Sequence, residues 1–286
     1  MRIRAPAKIN LTLRMIGKRR DGYHLIDTVM VPVSLYDVIE IRKLKRAPKS
    51  AGARIAVNCA HPLVPRGEKN IVYRAARILL DQTGRNQPVR IQIRKCIPVG
   101  AGLGGGSTDA AATLIGLNRL LKLRLTEARL EKLALSLGAD VPFFIRSRPA
   151  RARGVGEQLT ALRGLPNLWL VIIYPGFPVS TAWAYDSLPA KLTKPIVNTS
   201  IATSLKSLDK LAGLLVNDLE SVTLDRYPKL RLLKAKLLRE GALGSLMSGS
   251  GSSVFGMFKS KEMAQTAYDK LRHEEGVQAF LVRTLN

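Results

Sequence analysis

Residues 89–121, VRIQIRKCIPVGAGLGGGSTDAAATLIGLNRLL, change character twice within one short stretch, and that change decides the fold. From Val89 to Val99 apolar and polar residues alternate, which predicts a strand. From Ala110 onward Leu114, Leu117 and Leu121 recur on one helical face, which predicts a helix starting near Ser107. Between them lies a run of glycines. Glycine permits positive φ, so several N–H groups can turn into one concavity. The helix start adds unpaired N–H groups and the positive end of its dipole. Strand, glycine loop and helix start together predict a phosphate cradle. Asp109, near the helix start, suits the dipole as a capping residue, a reading at least as strong as a metal role.

Two common nucleotide loops do not fit. No Gly-Lys-Ser/Thr closes the run, so it is not a Walker A loop. No acidic residue ends a partner strand about 20 residues later, as a dinucleotide fold would want.

Outward from this segment, residues 1–57 alternate as strands, IRAPAKINLTLRMI and then TVMVPVSLYDVIEIRKL, with RRDGYHLID as a loop between them. After Asn70, IVYRAARILLDQTG has helical spacing and Gly84 as its C-terminal stop. TEARLEKLALSLG predicts another helix, closed by Gly138. RSRPARARGVGEQL (146–159) reads as a junction, giving domains 1–153 and 154–286. Beyond it come a buried strand, LWLVIIYPG, helical segments over roughly 200–240, and SLMSGSGSSVFGMF as strand, glycine turn and strand. A helix at 260–273 and a strand, FLVRTL, finish the chain. Strands and helices mix without a strict βαβ rhythm, which favours an α+β fold.

The 286 residues are 46% hydrophobic, enough for two cored domains. No apolar run reaches bilayer length, and MRIRAPAKINLTL lacks the apolar core of a secretory signal, so a cytoplasmic protein without membrane contact is expected. Cys59 and Cys96 lack metal-ligand spacing, and no His/Cys/Asp cluster suggests a protein-built metal site. The formal charge is +25, from 46 basic and 21 acidic residues. The basic residues are dispersed (RKLKR at 42–46, RSRPARAR at 146–153, KLRLLKAKLLR at 229–239), which fits a generally basic surface. A nucleic-acid-binding protein is the rival from another class. Aromatics at 5%, not interleaved with arginines, argue against it, and no nucleic-acid partner is expected.

Pro98 to Ala111, P-V-G-A-G-L-G-G-G-S-T-D-A-A, resembles the second motif of the GHMP kinases. A-P-A-K-I-N-L (Ala5–Leu11) is similar to the first motif, with Arg20, Asp21, Gly22, Tyr23 and His24 following it. G-A-D-V-P-F-F (Gly138–Phe144) is similar to the segment holding the family's catalytic aspartate, and S-G-S-G-S-S-V-F-G (Ser248–Gly256) to the third motif. The four segments follow the family's order over nearly the whole chain.

The resemblance implies a two-domain α+β kinase with a ribosomal-protein-like N-terminal domain and a ferredoxin-like C-terminal domain. It implies ATP as donor, bound by Pro98, Val99, Gly100, Ala101, Gly102, Leu103, Gly104, Gly105, Gly106, Ser107 and Thr108, with Mg²⁺ arriving on the nucleotide. It also implies Asp140 as general base and Lys8 as the cation that pairs with it and polarises the substrate hydroxyl. Taken alone, Asp140 could be a turn residue before Pro142 and Lys8 an exposed edge-strand lysine. Asn10, Tyr23, His24, Tyr185, Ser248, Gly249, Ser250 and Gly251 are the implied substrate contacts.

Tyr23, His24 and the triple glycine look like the branch acting on a cytidine diphosphate-linked sugar alcohol, in non-mevalonate isoprenoid synthesis. An aromatic ring can stack on a pyrimidine and an imidazole can bond its polar edge. Trp183 lies close enough to Tyr185 in sequence to be the second stacking ring instead. Met30 stands where the family carries an aromatic near the base. The alternative within the family is a kinase for another small alcohol, such as homoserine or a mevalonate derivative. Either monomer or homodimer is compatible. G-V-G-E (154–157) also matches the family and is assigned no role, and Asn217–Glu220 reads as a helix N-terminal signal.

Overall fold

Two long strands open the chain, β1 (Arg2–Lys18) and β2 (His24–Lys43). A turn joins them, in which Arg19 N donates to Tyr23 O at 2.7 Å. The expected loop 19–27 is therefore shorter than its composition suggests. His24–Asp27 already belongs to β2 because Ile26 is buried in the core. The computed structural model describes residues 1–45, 54–188 and 207–286. The expected strand residues 46–53 and the start of the helical stretch, 200–206, lie outside the described residues. The chain forms two compact units that interleave in sequence. Unit 1 holds Met1–Ala7, Leu35–Val99 and Gly104–Ser147; unit 2 holds Lys8–Ser34, Gly100–Leu103 and Arg148–Asn286.

In unit 1 the second part of β2 pairs antiparallel with β4 (Val89–Arg94), from Val38↔Arg94 to Lys43↔Val89. β4 pairs parallel with β3 (Ile55–Cys59). The alternation read from the sequence holds over β4, where Val89, Ile91 and Ile93 are buried and Arg90 and Arg94 exposed. It stops at Arg94, so Lys95–Val99 is an irregular approach to the glycine loop and not strand.

Among its described residues this unit has four α-helices: α1 (Ile71–Gln82), α2 (Gly105–Leu120), α3 (Glu127–Leu135) and α4 (Val141–Arg146). α2 packs against α1, α3 and α4 and is buried almost all round, from Thr108 to Leu114 and at Gly116 and Leu117. Each such leucine stabilises the fold by about 1.5–3 kcal/mol. A Cβ on Gly116 would stand 2.6 Å from Ile41 and 2.9 Å from Ile3, so glycine is what lets α2 lie this close to the strands.

In unit 2 the first part of β2 pairs with β5 (Ala150–Gly154), and β5 with β6 (Gln158–Ala161). Within 146–159, read as a junction, the division between the units falls at Ser147/Arg148, and from Ala150 the chain folds into a hairpin around Gly154 and Gly156, both at positive φ. A second sheet has the order β11-β7-β10-β9, with β7 (Trp169–Tyr174), β9 (Gly244–Met247), β10 (Val254–Phe258) and β11 (Gln278–Arg283).

Between β7 and β9 come α5 (Thr181–Asp186), α6 (Leu208–Gly213), the short β8 (Val216–Asn217), α7 (Glu220–Arg226) and α8 (Lys229–Arg239). Between β10 and β11 comes α9 (Lys261–Leu271). α8 packs on β9 and β10, and α9 on β7, β10 and β11. Leu230, Leu233 and Leu237 meet Val171, Ile173, Val254 and Phe258 in the resulting core. Antiparallel strands in this order, with helices crossing between them, are the expected ferredoxin-like arrangement. Among the described residues no helix is long and apolar enough to cross a membrane.

Candidate active site

The start of α2 is left open. Asn70, Thr126, Ser180 and Ser260 cap α1, α3, α5 and α9 with side-chain oxygens. α2 begins instead at Gly104, at φ 71°, with no side-chain cap. Its first main-chain bond inward is Thr108 N to Gly104 O, at 2.9 Å. The N–H groups of Gly105, Gly106 and Ser107 precede it, in the turn where a helix has no internal acceptors. Gly106 is exposed and Gly104, Gly105 and Ser107 are half-buried. The helix starts two residues ahead of the expected Ser107, which places two more glycine N–H groups in the open turn.

Behind this turn lies a charged cluster that the sequence did not reveal. Lys95 Nζ donates to Asp109 Oδ2 at 2.9 Å and to Asp37 Oδ2. Asp37 Oδ1 accepts the N–H groups of Cys96 (2.6 Å) and Ile97 (2.9 Å). The three side chains are at most 5% exposed. They tie β2, the approach to the glycine loop and the first turn of α2 together within unit 1. Burial pushes the Asp109 carboxyl up to about 8; Lys95 opposes this and Asp37 adds to it. Asp109 Oδ1 is buried without a hydrogen-bond partner among the described residues, so a charge there would be poorly solvated. Lys95 is raised, its two carboxylates outweighing the cost of burial. Asp109 is thus not the cap of α2.

In unit 2 the two glycine loops lock together. Ser248 Oγ donates to Gly102 O at 3.0 Å, and Ser253 N to Ala101 O at 3.2 Å. A Cβ on Gly102, at φ 75°, would stand 1.9 Å from Ser248 O, so no side chain fits there. Asn217, read with Asp218–Glu220 as a helix start, does lead into α7, its Oδ1 accepting Leu219 N at 3.0 Å, and it also holds the third motif: its Nδ2 donates to Met247 O at 2.8 Å and Gly249 O at 2.7 Å. Ser250 Oγ shares a hydrogen bond of 3.0 Å with Thr181 Oγ1.

Lys8 belongs to the same assembly. Its N–H donates to Leu103 O at 3.0 Å, and its Nζ lies 3.4 Å from where a Cβ on Gly249 would stand. It is 5% exposed, which removes the reading of an exposed edge lysine. Its Nζ donates to Asn10 Oδ1 at 2.6 Å. Lys8, Asn10, Gly102 and Ser248–Gly251, remote in sequence, are thus neighbours within unit 2.

Of the aromatic candidates, His24 and Tyr185 meet, with ring centroids 5.5 Å apart and planes tilted by 48°. Burial and then Lys18 lower the His24 pKa, against a smaller opposing pull from Asp186, so its imidazole is neutral near pH 7. Trp183 turns the other way, edge-on to Tyr227 at 5.9 Å. Tyr23 is 64% exposed. Met30, at 1% exposure, is a core residue and offers no surface to a ligand. In unit 1, Asp140 occupies the N-cap position of α4 without making a side-chain cap bond, and Pro142 follows in the first turn. Among the described residues no group of three or more His, Cys, Asp or Glu side chains could hold a metal ion.

The fold and both glycine loops are those of the GHMP kinases: the model of their N-terminal domain matches residues 70–148 and that of their C-terminal domain residues 198–278. The 4-diphosphocytidyl-2-C-methyl-D-erythritol kinase of Geobacter sp. (strain M21) is 48% identical over 285 residues, covering 100% of this chain and 99% of the relative. That of Syntrophotalea carbinolica is 45% identical over 282 residues, covering 99% and 98%. A crystal structure of 4-(cytidine 5'-diphospho)-2C-methyl-D-erythritol kinase superposes with a TM-score of 0.85 at 35% identity, covering 100% of both chains. The chain belongs to the 4-diphosphocytidyl-2-C-methyl-D-erythritol kinase family of GHMP kinases.

Proposed function

We propose that this kinase transfers the γ-phosphoryl group of ATP to the 2-hydroxyl of 4-diphosphocytidyl-2-C-methyl-D-erythritol, in the non-mevalonate route to isoprenoid precursors. The observation that carries the reading is the uncapped, glycine-lined start of α2, whose N–H groups have no acceptor inside the helix. Phosphate oxygens complete such a terminus, and the helix dipole favours their charge.

Gly104, Gly105, Gly106 and Ser107 are the residues fitted to the β- and γ-phosphates. The remaining loop residues, from Pro98 to Leu103, set the course of the backbone. Magnesium enters on the nucleotide, where it neutralises phosphate charge. Asp140 accepts the proton of the attacking hydroxyl, and Lys8 steadies the charge that develops as that oxygen attacks. The tilted pair of His24 and Tyr185, with Tyr23 beside His24 in sequence, suits a cytosine ring: one face for stacking, one imidazole edge for hydrogen bonding. Nucleotide binding and catalysis fall to residues 1–153, and the second glycine loop, Ser248–Gly251, serves the substrate from residues 154–286. The protein acts in the cytoplasm and needs no nucleic-acid partner.

The test is ADP release with ATP and magnesium, comparing the diphosphocytidyl alcohol with homoserine and mevalonate. Turnover confined to the cytidine compound is expected. Turnover with one of the other alcohols would overturn the pocket assignment. Asp140→Asn is expected to lower kcat by about 10²–10⁴-fold with little change in nucleotide affinity; an unchanged kcat would remove Asp140 from the chemistry.

A further inference from the structure

Behind Lys8 runs a chain of hydrogen bonds whose direction is fixed at its far end. Lys8 Nζ donates to Asn10 Oδ1 at 2.6 Å, Asn10 Nδ2 donates to Thr28 Oγ1 at 2.8 Å, and Thr28 Oγ1 donates to Thr12 O at 2.5 Å. Thr12 Oγ1 in turn accepts Val29 N at 2.9 Å, which pins the neighbouring strand residue. Lys8, Asn10, Thr12 and Thr28 are all buried, Thr28 at 1% exposure, so each polar atom depends on its protein partner.

The direction matters because a carboxamide has two faces. Asn10 could present either its oxygen or its NH₂ to Lys8, and only the oxygen can accept from an ammonium. A main-chain carbonyl has no proton to give, so the Thr28 hydroxyl must spend its one proton on Thr12 O. Only lone pairs then remain on Thr28 Oγ1, and Asn10 must turn its NH₂ toward them. The Asn10 oxygen is thereby left facing Lys8. Remove the Thr28 hydroxyl, and nothing in this chain of bonds opposes rotation of the Asn10 amide, which would set NH₂ against the ammonium.

We infer that Thr28 is a positioning residue for phosphoryl transfer: its hydroxyl orients Asn10, and through Asn10 it fixes the ammonium of Lys8. The inference rests on the reading of Lys8 as the charge-stabilising cation. Thr28 contacts no reacting atom, so its effect belongs in kcat and, through the substrate contact of Asn10, in the KM for the alcohol, and not in the binding of ATP.

The experiment compares steady-state kinetics and thermal melting of Thr28→Val, Thr28→Ser and Lys8→Met, with Thr28→Ala as a second variant should valine not fold. Misplacing a catalytic group by a fraction of its own size costs on the order of tenfold to a hundredfold in rate. Thr28→Val is therefore expected to lower kcat by about that factor, with the KM for ATP within about twofold of wild type. Thr28→Ser restores the hydroxyl and is expected to return kcat to within about threefold of wild type. In the Lys8→Met background, Thr28→Val should cost nothing further, because the two act as one unit. A wild-type kcat for Thr28→Val, with Lys8→Met strongly impaired, would overturn the inference alone. Serine as impaired as valine, with both melting lower, would reduce Thr28 to a packing residue. A wild-type kcat for Lys8→Met would overturn the reading of Lys8 and the inference with it.

Discussion

Gly102 and Gly106 lie in the same loop and are glycine for opposite reasons. At Gly102 the backbone is at φ 75° and a Cβ would stand 1.9 Å from Ser248 O, so the residue is small because protein already fills the space. At Gly106 the nearest atom to a built Cβ is Ile71 Cγ2 at 3.8 Å, an ordinary contact, and the residue is exposed in the first turn of a helix. Nothing in the fold requires glycine there. Alanine would in fact favour the helix by about 0.5–1 kcal/mol. One half of the loop is therefore built for packing against the third motif. The other half is left bare at a local cost in stability, which suits the ligand approach proposed for this turn.

The sharpest way to break this comparison is Gly102→Ala. A clash with main chain combined with a strained φ is expected to destabilise unit 2 by about 2–4 kcal/mol. A melting temperature at the wild-type value would show that the two loops are not locked. Tyr185→Ala carries the comparison to the substrate end. Loss of a stacked base costs about 1–3 kcal/mol, so the KM for the cytidine substrate should rise by about tenfold or more while that for ATP stays put. Equal effects on both would sink the assignment of Tyr185 to the base. Gly106→Ala should then show the opposite signature to Gly102→Ala: a melting temperature equal to or above wild type, with the KM for ATP raised by about tenfold.

The smallest effect concerns the charged cluster behind α2. The Asp109 carboxyl titrates at about 8 in the fold and near 3.8 when unfolded, so between these values the folded chain holds the extra proton. Rising pH therefore withdraws stability across that window. The melting temperature of the wild type should fall more steeply from about pH 5 to about pH 8 than that of Asp109→Asn, which cannot titrate. Parallel curves would mean that the cluster keeps no extra proton.

Much of the architecture was legible because its signals are local. The alternation of β4, the helical face of α2 and the run of buried residues in β7 each follow from neighbours in sequence. Two boundaries were read incompletely where tertiary burial overrides composition. His24–Asp27 looks like polar loop but is strand because Ile26 reaches the core, and the Pro/Gly/Arg-rich stretch at 146–159, where the division between the units does fall, at Ser147/Arg148, also carries most of a hairpin. The cluster of Asp37, Lys95 and Asp109 was not legible at all, since nothing local links a mid-strand aspartate to a residue ahead of the glycine loop. The same holds for Asn217, whose grip on Met247 O and Gly249 O depends on β8 lying beside β1. The family resemblance implied that His24 and Tyr185 serve one pocket, and the separation of Trp183 from them required coordinates.

The central claim is that the open end of α2 receives the phosphates of ATP. Amide chemical shifts of labelled protein, titrated with magnesium and a non-hydrolysable ATP analogue, test it most directly. Large shifts at Gly104, Gly105, Gly106 and Ser107, with smaller ones at Gly249 and Gly251, are predicted. Shifts concentrated at Gly249 and Gly251, with the start of α2 undisturbed, would contradict it.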